Sequence, residues 1–260
     1  MWPIPGRSVF FEITYALMNT NIKQKIIQSL KDQKEIFGDD LFEENLLKRK
    51  TTIVKEPKAD YREEAPESFF DENWKSAKTL DELESMINTC TKCPLHQNRN
   101  KFVFGKGNPN ADIMVVGEGF GAEEDKQGEP FVGRAGKLLT DILKAINFTR
   151  EEVYIANVVK SRPPGNRTPN ADEMDACLPY LKKQIALIKP KLILCLGLTA
   201  AQGVLKKRDS LTKMRGQIFE FEGAKVMVTY HPAALLRNPN WKRPAWEDVK
   251  KFRQLYDEMK

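Results

Sequence analysis

Residues 113–125 read Ile113-Met114-Val115-Val116-Gly117-Glu118-Gly119-Phe120-Gly121-Ala122-Glu123-Glu124-Asp125. The apolar run suits a short buried strand. It opens directly into glycines, where the backbone can approach a ligand closely. A dinucleotide-binding turn has the same outline. A pyrophosphate, however, needs bare amides at a helix N-terminus, and Glu118, Glu123, Glu124 and Asp125 would repel it. The turn therefore suits a neutral ligand or a cationic transition state.

The same loop continues through Gly128-Glu129-Pro130-Phe131-Val132-Gly133-Arg134-Ala135-Gly136. Its glycine density implies a tight, shaped wall. Phe131 either packs into the core or stacks on a flat ligand. Beyond it, strands and helices alternate. A helix over 134–146 carries Leu138, Leu139, Ile142, Leu143 and Ile146 on one side. A strand follows over 153–159, then a helix capped by Asn170 and Glu173. A buried strand over 192–196 leads to a helix from Thr199. Residues 218–221 and 226–229 read as a hairpin, or a hairpin feeding a central strand, and 244–259 as a closing amphipathic helix. Upstream, Thr79 and Glu82 form a capping box for a helix with Leu80, Leu83, Met86 and Ile87 on one face. Such alternation predicts an α/β fold with a parallel sheet covered on both faces and functional groups at the carboxyl ends of its strands.

Two more strand ends carry chemistry. After 153–159 comes Lys160-Ser161-Arg162-Pro163-Pro164-Gly165-Asn166-Arg167-Thr168-Pro169, in which Lys160, Arg162 and Arg167 make a rigid basic loop suited to phosphates. Asn157, polar within the apolar strand, either makes a structural hydrogen bond or reads the edge of a base. The last strand runs into Thr229-Tyr230-His231-Pro232-Ala233-Ala234-Leu235-Leu236-Arg237. It offers a histidine donor, and apolar side chains beside a cation, the combination used to distort DNA.

The chain has 260 residues, 41% hydrophobic and 30% charged, with a net charge of +6. Residues 1–80 hold 13 Lys+Arg against 14 Asp+Glu, which leaves 29 against 22 in 81–260. The basic excess therefore lies in the α/β part, as nucleic-acid binding would allow. No apolar run approaches the roughly 20 residues of a bilayer span, so no membrane association is expected. Glu12 interrupts the apolar stretch near the start, and no cleavage site follows, so a signal peptide is not expected. Met18 is a plausible start, 20–48 a helix and 50–78 a linker. Two histidines, His96 and His231, exclude a histidine-cluster mechanism. Four cysteines exclude a disulfide scaffold. Cys90-x2-Cys93 before Pro94, with Cys177 and Cys195 further on, reads as a metal site. Zinc and an iron–sulfur cluster both accept four thiolates, and the spacing does not choose between them. Cys195, within a strand, also reads as a buried reduced thiol.

Together these pieces resemble the family 4 uracil-DNA glycosylases, the iron–sulfur type. The resemblance covers about residues 84–258 and rests on 117–125, on 128–139, on Arg162–Pro169, on His231–Arg237 and on the cysteine spacing. It implies a three-layer sandwich with a central, mainly parallel four-stranded sheet flanked by helices. Residues 81–260 would form that domain and 1–80 an extension outside it, recruiting a repair or replication partner or merely tethering. A 4Fe–4S cluster, rather than zinc, would sit on Cys90, Cys93, Cys177 and Cys195.

The resemblance also implies that a deoxyuridine flips out of single- or double-stranded DNA and is hydrolysed to free uracil and an abasic site, without a lyase step. Phe131 would stack on the base. Asn157 would bond its N3–H and O4, and Glu124 would crowd C5 against thymine. Gly117 and Gly119 would leave room. His231, as a neutral donor, and the glycine-loop amides would stabilise charge at O2. Glu118 would orient water or stabilise the sugar cation, with Asn166 helping to place the water. Lys160, Arg162, Arg167 and Arg237 would hold phosphates while Leu235 fills the gap. The family has proline where Phe120 stands here, which puts activity and specificity in question. A monomer in a bacterial or archaeal cytoplasm is implied. The alternatives are a non-catalytic nucleic-acid-binding member of the same fold and a zinc-stabilised interaction domain.

Overall fold

The computed structural model describes residues 72–259. The readings placed on residues 1–71 lie outside the described residues. Within them, Glu72–Ser76 form a short 3-10 turn whose buried Trp74 meets Tyr180 edge-on, ring centroids 4.9 Å apart. The last part of the expected linker is thus packed. Helix α1, Leu80–Ile87, starts as expected. Thr79 Oγ1 accepts from Glu82 N at 3.2 Å, and Glu82 reaches back to Lys78 N at 2.7 Å.

The strands are β1 (Lys106–Gly107), β2 (Ile113–Gly117), β3 (Tyr154–Asn157), β4 (Leu192–Leu196), β5 (Phe219–Phe221) and β6 (Ala224–Thr229). The later helices are α2 (Ala122–Gln127), α3 (Arg134–Ala145), α4 (Ala171–Ile188), α5 (Leu198–Leu205), α6 (Leu211–Met214), α7 (Pro232–Arg237) and α8 (Lys242–Asp257). The sheet order is β1-β3-β2-β4-β6-β5. The expected parallel four, β3, β2, β4 and β6, form its centre, and β1 and β5 add short antiparallel edges. Glu222 and Gly223, both at positive φ, make the turn between β5 and β6, the pairing that matches hairpin twist.

Successive residues of a strand face opposite sides. Met114 and Val116 join a core with Leu181 and Ile185 of α4 and Val204 of α5. Ile113 and Val115 join another with Leu139 and Leu143 of α3 and Phe252 of α8. Burial on both faces explains the unbroken apolar run. The register sets Gly117 beside Asn157 and Leu196 beside Thr229. Residues Glu118, Val158, Gly197 and Tyr230 therefore leave the sheet at one edge. No described helix is long and apolar enough to cross a membrane.

Candidate active site

A cleft of about 550 Å³ opens at that edge. Its walls include Glu118–Glu124, Phe131, Arg134, Asn166–Pro169, His231 and Arg237. Asn157 ends β3 with 1% of its surface exposed, and neither its Nδ2 nor its Oδ1 has a hydrogen-bond partner. A Cβ added at Gly117 would come within 2.2 Å of Asn157 Oδ1 and 2.8 Å of the Phe131 ring. Only glycine lets these two side chains converge there. Buried polar atoms are almost always paired, so an orphaned carboxamide beside an aromatic ring marks a place for a ligand edge with one donor and one acceptor.

The loop carrying Phe131 is held under strain. Phe131 has φ 56, a left-handed conformation rare for a bulky residue. Arg150 fastens the loop by donating to Pro130 O at 2.9 Å and Phe131 O at 3.1 Å. Gly136 admits the close approach, since a Cβ there would lie 1.8 Å from Phe131 O. Glu124 completes the clamp. Its carboxylate accepts from Gly121 N at 3.1 Å, Val132 N at 3.1 Å and Gly133 N at 2.9 Å, which joins the glycine turn to the Phe131 loop. Glu124 does this because residues 122–127 form helix α2, where the sequence reading continued a loop. Asp125, read as facing a ligand, is fully buried and accepts from Asn100 N and Lys101 N instead.

His231 caps α7, and its Nδ1 accepts from Ala233 N at 3.1 Å. The neutral ring therefore carries its proton on Nε2. Burial, helped by the charge of Arg237, pushes its pKa down to about 4. At neutral pH it is an uncharged donor. The β6 end that delivers it is fixed by Asp248, which accepts from Thr229 Oγ1 at 2.8 Å and from Arg215 Nε at 2.6 Å. Glu118 is half-buried, and burial raises its carboxyl above the ordinary range while hydrogen bonds from Thr199 and Thr168 oppose the shift. Sequence reasoning missed Thr199, although Gly197 opening a helix at the end of β4 was a usable signal. It also missed Thr168, which lies within the quoted Arg162–Pro169 stretch, and Arg150.

The profile of the uracil DNA glycosylase superfamily matches residues 104–250. The chain belongs to that superfamily. It is 46% identical to a protein of Sulfurisphaera tokodaii named type-4 uracil-DNA glycosylase, over 68% of this chain and 84% of that relative. A Thermotoga maritima protein of the same name is 47% identical, over 68% of this chain and 94% of the relative. A type-5 uracil-DNA glycosylase of Pyrobaculum aerophilum is 27% identical over 60% of this chain and 83% of the relative.

In this superfamily member three expectations need correction. Lys160 is not a phosphate ligand. It is fully buried, and its Nζ donates to Phe104 O at 3.0 Å, Asn157 O at 3.0 Å and Gln184 Oε1 at 2.7 Å. Leu235 does not protrude. It is 2% exposed, whereas Leu236, about 100° further round α7, is 38% exposed. Of the remaining cations, Arg237 is exposed on the cleft rim. Arg162 donates to Asn166 Oδ1 at 2.8 Å, and Arg167 makes a bidentate pair with Glu173. Phe120 lines the cleft but is buried at 7% exposure, so its ring does not project from the mouth.

The third correction concerns the cysteines. Cys177, Tyr180 and Gln184 share one face of α4. Tyr180 Oη donates to Cys90 Sγ at 3.2 Å, and Cys177 packs with Cys93 beside Leu95 and Val159. The Cys177 thiol donates to Cys93, which holds Cys93 below and Cys177 above the ordinary thiol range. Cys195 is elsewhere. It pairs with Val116 and Val228 in the middle of the sheet, buried among apolar residues, and burial alone pushes its thiol up to about 12. The four-cysteine donor set therefore does not assemble. Among the described residues, no three His, Cys, Asp or Glu side chains are gathered closely enough to hold a single metal ion.

Proposed function

We propose that the protein is a monofunctional glycosylase that hydrolyses the N-glycosidic bond of deoxyuridine in DNA, releasing uracil and leaving an abasic site. The observation that carries this reading is the orphaned Asn157 carboxamide beside Phe131, in a chain of the uracil-DNA glycosylase superfamily. Uracil in a duplex is out of reach, so the nucleotide flips into the cleft at a cost of a few kcal/mol. Phe131 stacks on the base. Asn157 Oδ1 accepts from N3–H and Nδ2 donates to O4, and cytosine inverts this pattern and leaves both groups unpaired. Glu124 braces the wall that excludes the thymine methyl, and Gly117 and Gly119 leave space for the base and sugar.

As the glycosidic bond breaks, negative charge develops at uracil O2. The Nε2–H of His231 and amides of the glycine turn stabilise it, and such donors are worth about 10²–10³ in rate each. Glu118, oriented by Thr168 and Thr199, positions the attacking water and stabilises the cationic sugar, with Asn166 beside it. Arg237, Arg162 and Arg167 hold phosphates, and Leu236 takes the gap-filling role first read for Leu235. Cys90, Cys93 and Cys177, placed near the start of α4, would hold an iron–sulfur cluster, whose ligands stand further apart than those of a single ion and whose contribution would be a structural tie between the segment before β1 and α4. The glycosylase domain, with Trp74 and Ala77 packed into it, acts as a monomer in a bacterial or archaeal cytoplasm, and the residues before it recruit a repair or replication partner or merely tether.

The test is uracil release from oligonucleotides carrying one U opposite G, opposite A or unpaired, beside matched T and C substrates. Release at U alone is expected. DNA binding without release would leave a non-catalytic binder.

A further inference from the structure

With Cys195 in the middle of the sheet, three cysteines remain near the start of α4, and the buried Ser161 hydroxyl lies close to them. Val159 packs with Cys177 and Leu95 beside Cys93, which sets Ser161, two residues further on, close to the cysteines. Ser161 is 4% exposed. Its Oγ accepts from Arg99 Nη1 at 3.0 Å, and the same nitrogen donates to Cys90 O at 2.9 Å. One guanidinium nitrogen thus ties the Ser161 hydroxyl to the Cys90 turn.

We propose that this protein holds its cluster through three thiolates, Cys90, Cys93 and Cys177, with the Ser161 hydroxyl at the fourth corner, and that Cys195 is a core residue and not a ligand. The proposal rests on the cluster reading given above. Iron–sulfur clusters take soft thiolate ligands, and an oxygen donor is the harder, poorer match. The iron at the Ser161 corner is then the exchangeable one. A one-electron oxidant such as ferricyanide converts [4Fe–4S]²⁺ to [3Fe–4S]⁺ by taking one electron and releasing one Fe²⁺, which conserves charge and atoms.

The experiment measures iron and acid-labile sulfide per chain in full-length protein purified without oxygen, then iron release and the electron paramagnetic resonance signal of [3Fe–4S]⁺ after ferricyanide. Wild type is expected to release roughly one iron in four and develop the signal. Cys195→Ala and the better-filled Cys195→Val keep the wild-type iron content, and Cys177→Ala loses most of it. Ser161→Cys keeps its iron and resists release. Loss of iron from a folded Cys195 variant overturns the proposal. So does release from Ser161→Cys at the wild-type level, or iron loss in His96→Gln matching that of Cys177→Ala. If neither Cys195 variant folds by circular dichroism, the Ser161→Cys arm decides alone. A chain purified with no iron, or with one zinc, strikes the underlying cluster reading itself, whereas iron that depends on Cys195 strikes only this inference.

Discussion

Replacing Asn157 by alanine separates a ligand-reading side chain from a structural one. Both polar atoms of the Asn157 side chain are buried without partners. Each such atom costs the free protein about 1–3 kcal/mol. Truncation removes both and leaves a small void worth about 1 kcal/mol of lost packing. The net expectation is a gain in stability of about 1–5 kcal/mol, which raises Tm by roughly 2–20 °C for a domain of this size. The same change deprives uracil N3–H and O4 of their partners in a site that excludes water. That costs about 3–4 kcal/mol in the transition state, or roughly 10²–10³ in kcat/KM. Calorimetry of the free protein and single-turnover release from a U·G oligonucleotide read the two effects. A more stable, nearly inactive variant is the expected outcome. A fall in Tm of several degrees would refute the reasoning, because it would mean that the carboxamide holds the fold together and its orphaned state is not the native one.

Other consequences can be checked independently. Because the folded pKa of His231 is about 4 against an ordinary 6.5, the unfolded chain binds more protons between these values. His231 therefore contributes a loss of stability as pH falls from about 6.5 to 4, up to about 3 kcal/mol. Urea midpoints across that window should flatten in His231→Gln, whose kcat at pH 7.5 should fall by about 10²–10³. Lys160→Met should cost about 2–4 kcal/mol of stability, since three acceptors lose a buried donor, and leave the salt dependence of DNA affinity unchanged. Arg237→Ala should do the reverse, shrinking the slope of log K against log salt by about 0.7–0.9 and sparing Tm. Leu236→Ala should slow excision from duplex more than from single-stranded uracil DNA, and Leu235→Ala should mainly lower Tm through a core cavity of about 2–4 kcal/mol.

Where candidate residues stand at strand ends, the linear order was enough to group them. Glu118, Asn157 and His231 lie just beyond or at the end of β2, β3 and β6, and the parallel register brings those ends together, while Phe131 reaches the same place from the loop between α2 and α3. Glu124 was found too, but its task as a clamp on three amides depends on a helix turn that a glycine-rich, acidic stretch does not advertise. Arg150 was invisible, because it acts on backbone carbonyls 19 and 20 residues away.

The alternation of apolar strands with amphipathic helices, the glycine turns and the cap residues were determined by the sequence by itself, because each depends on neighbours a few residues apart. Only the tertiary structure decided which way a side chain points and which distant thiols meet. Lys160, Leu235 and Cys195 all stand in the expected segments and all turn inward. A step of one residue moves a side chain to the opposite face of a strand, or about 100° around a helix. Whether a cation meets a phosphate or a buried carbonyl is therefore settled by what is packed against it, and that information is spread over segments far apart in the chain.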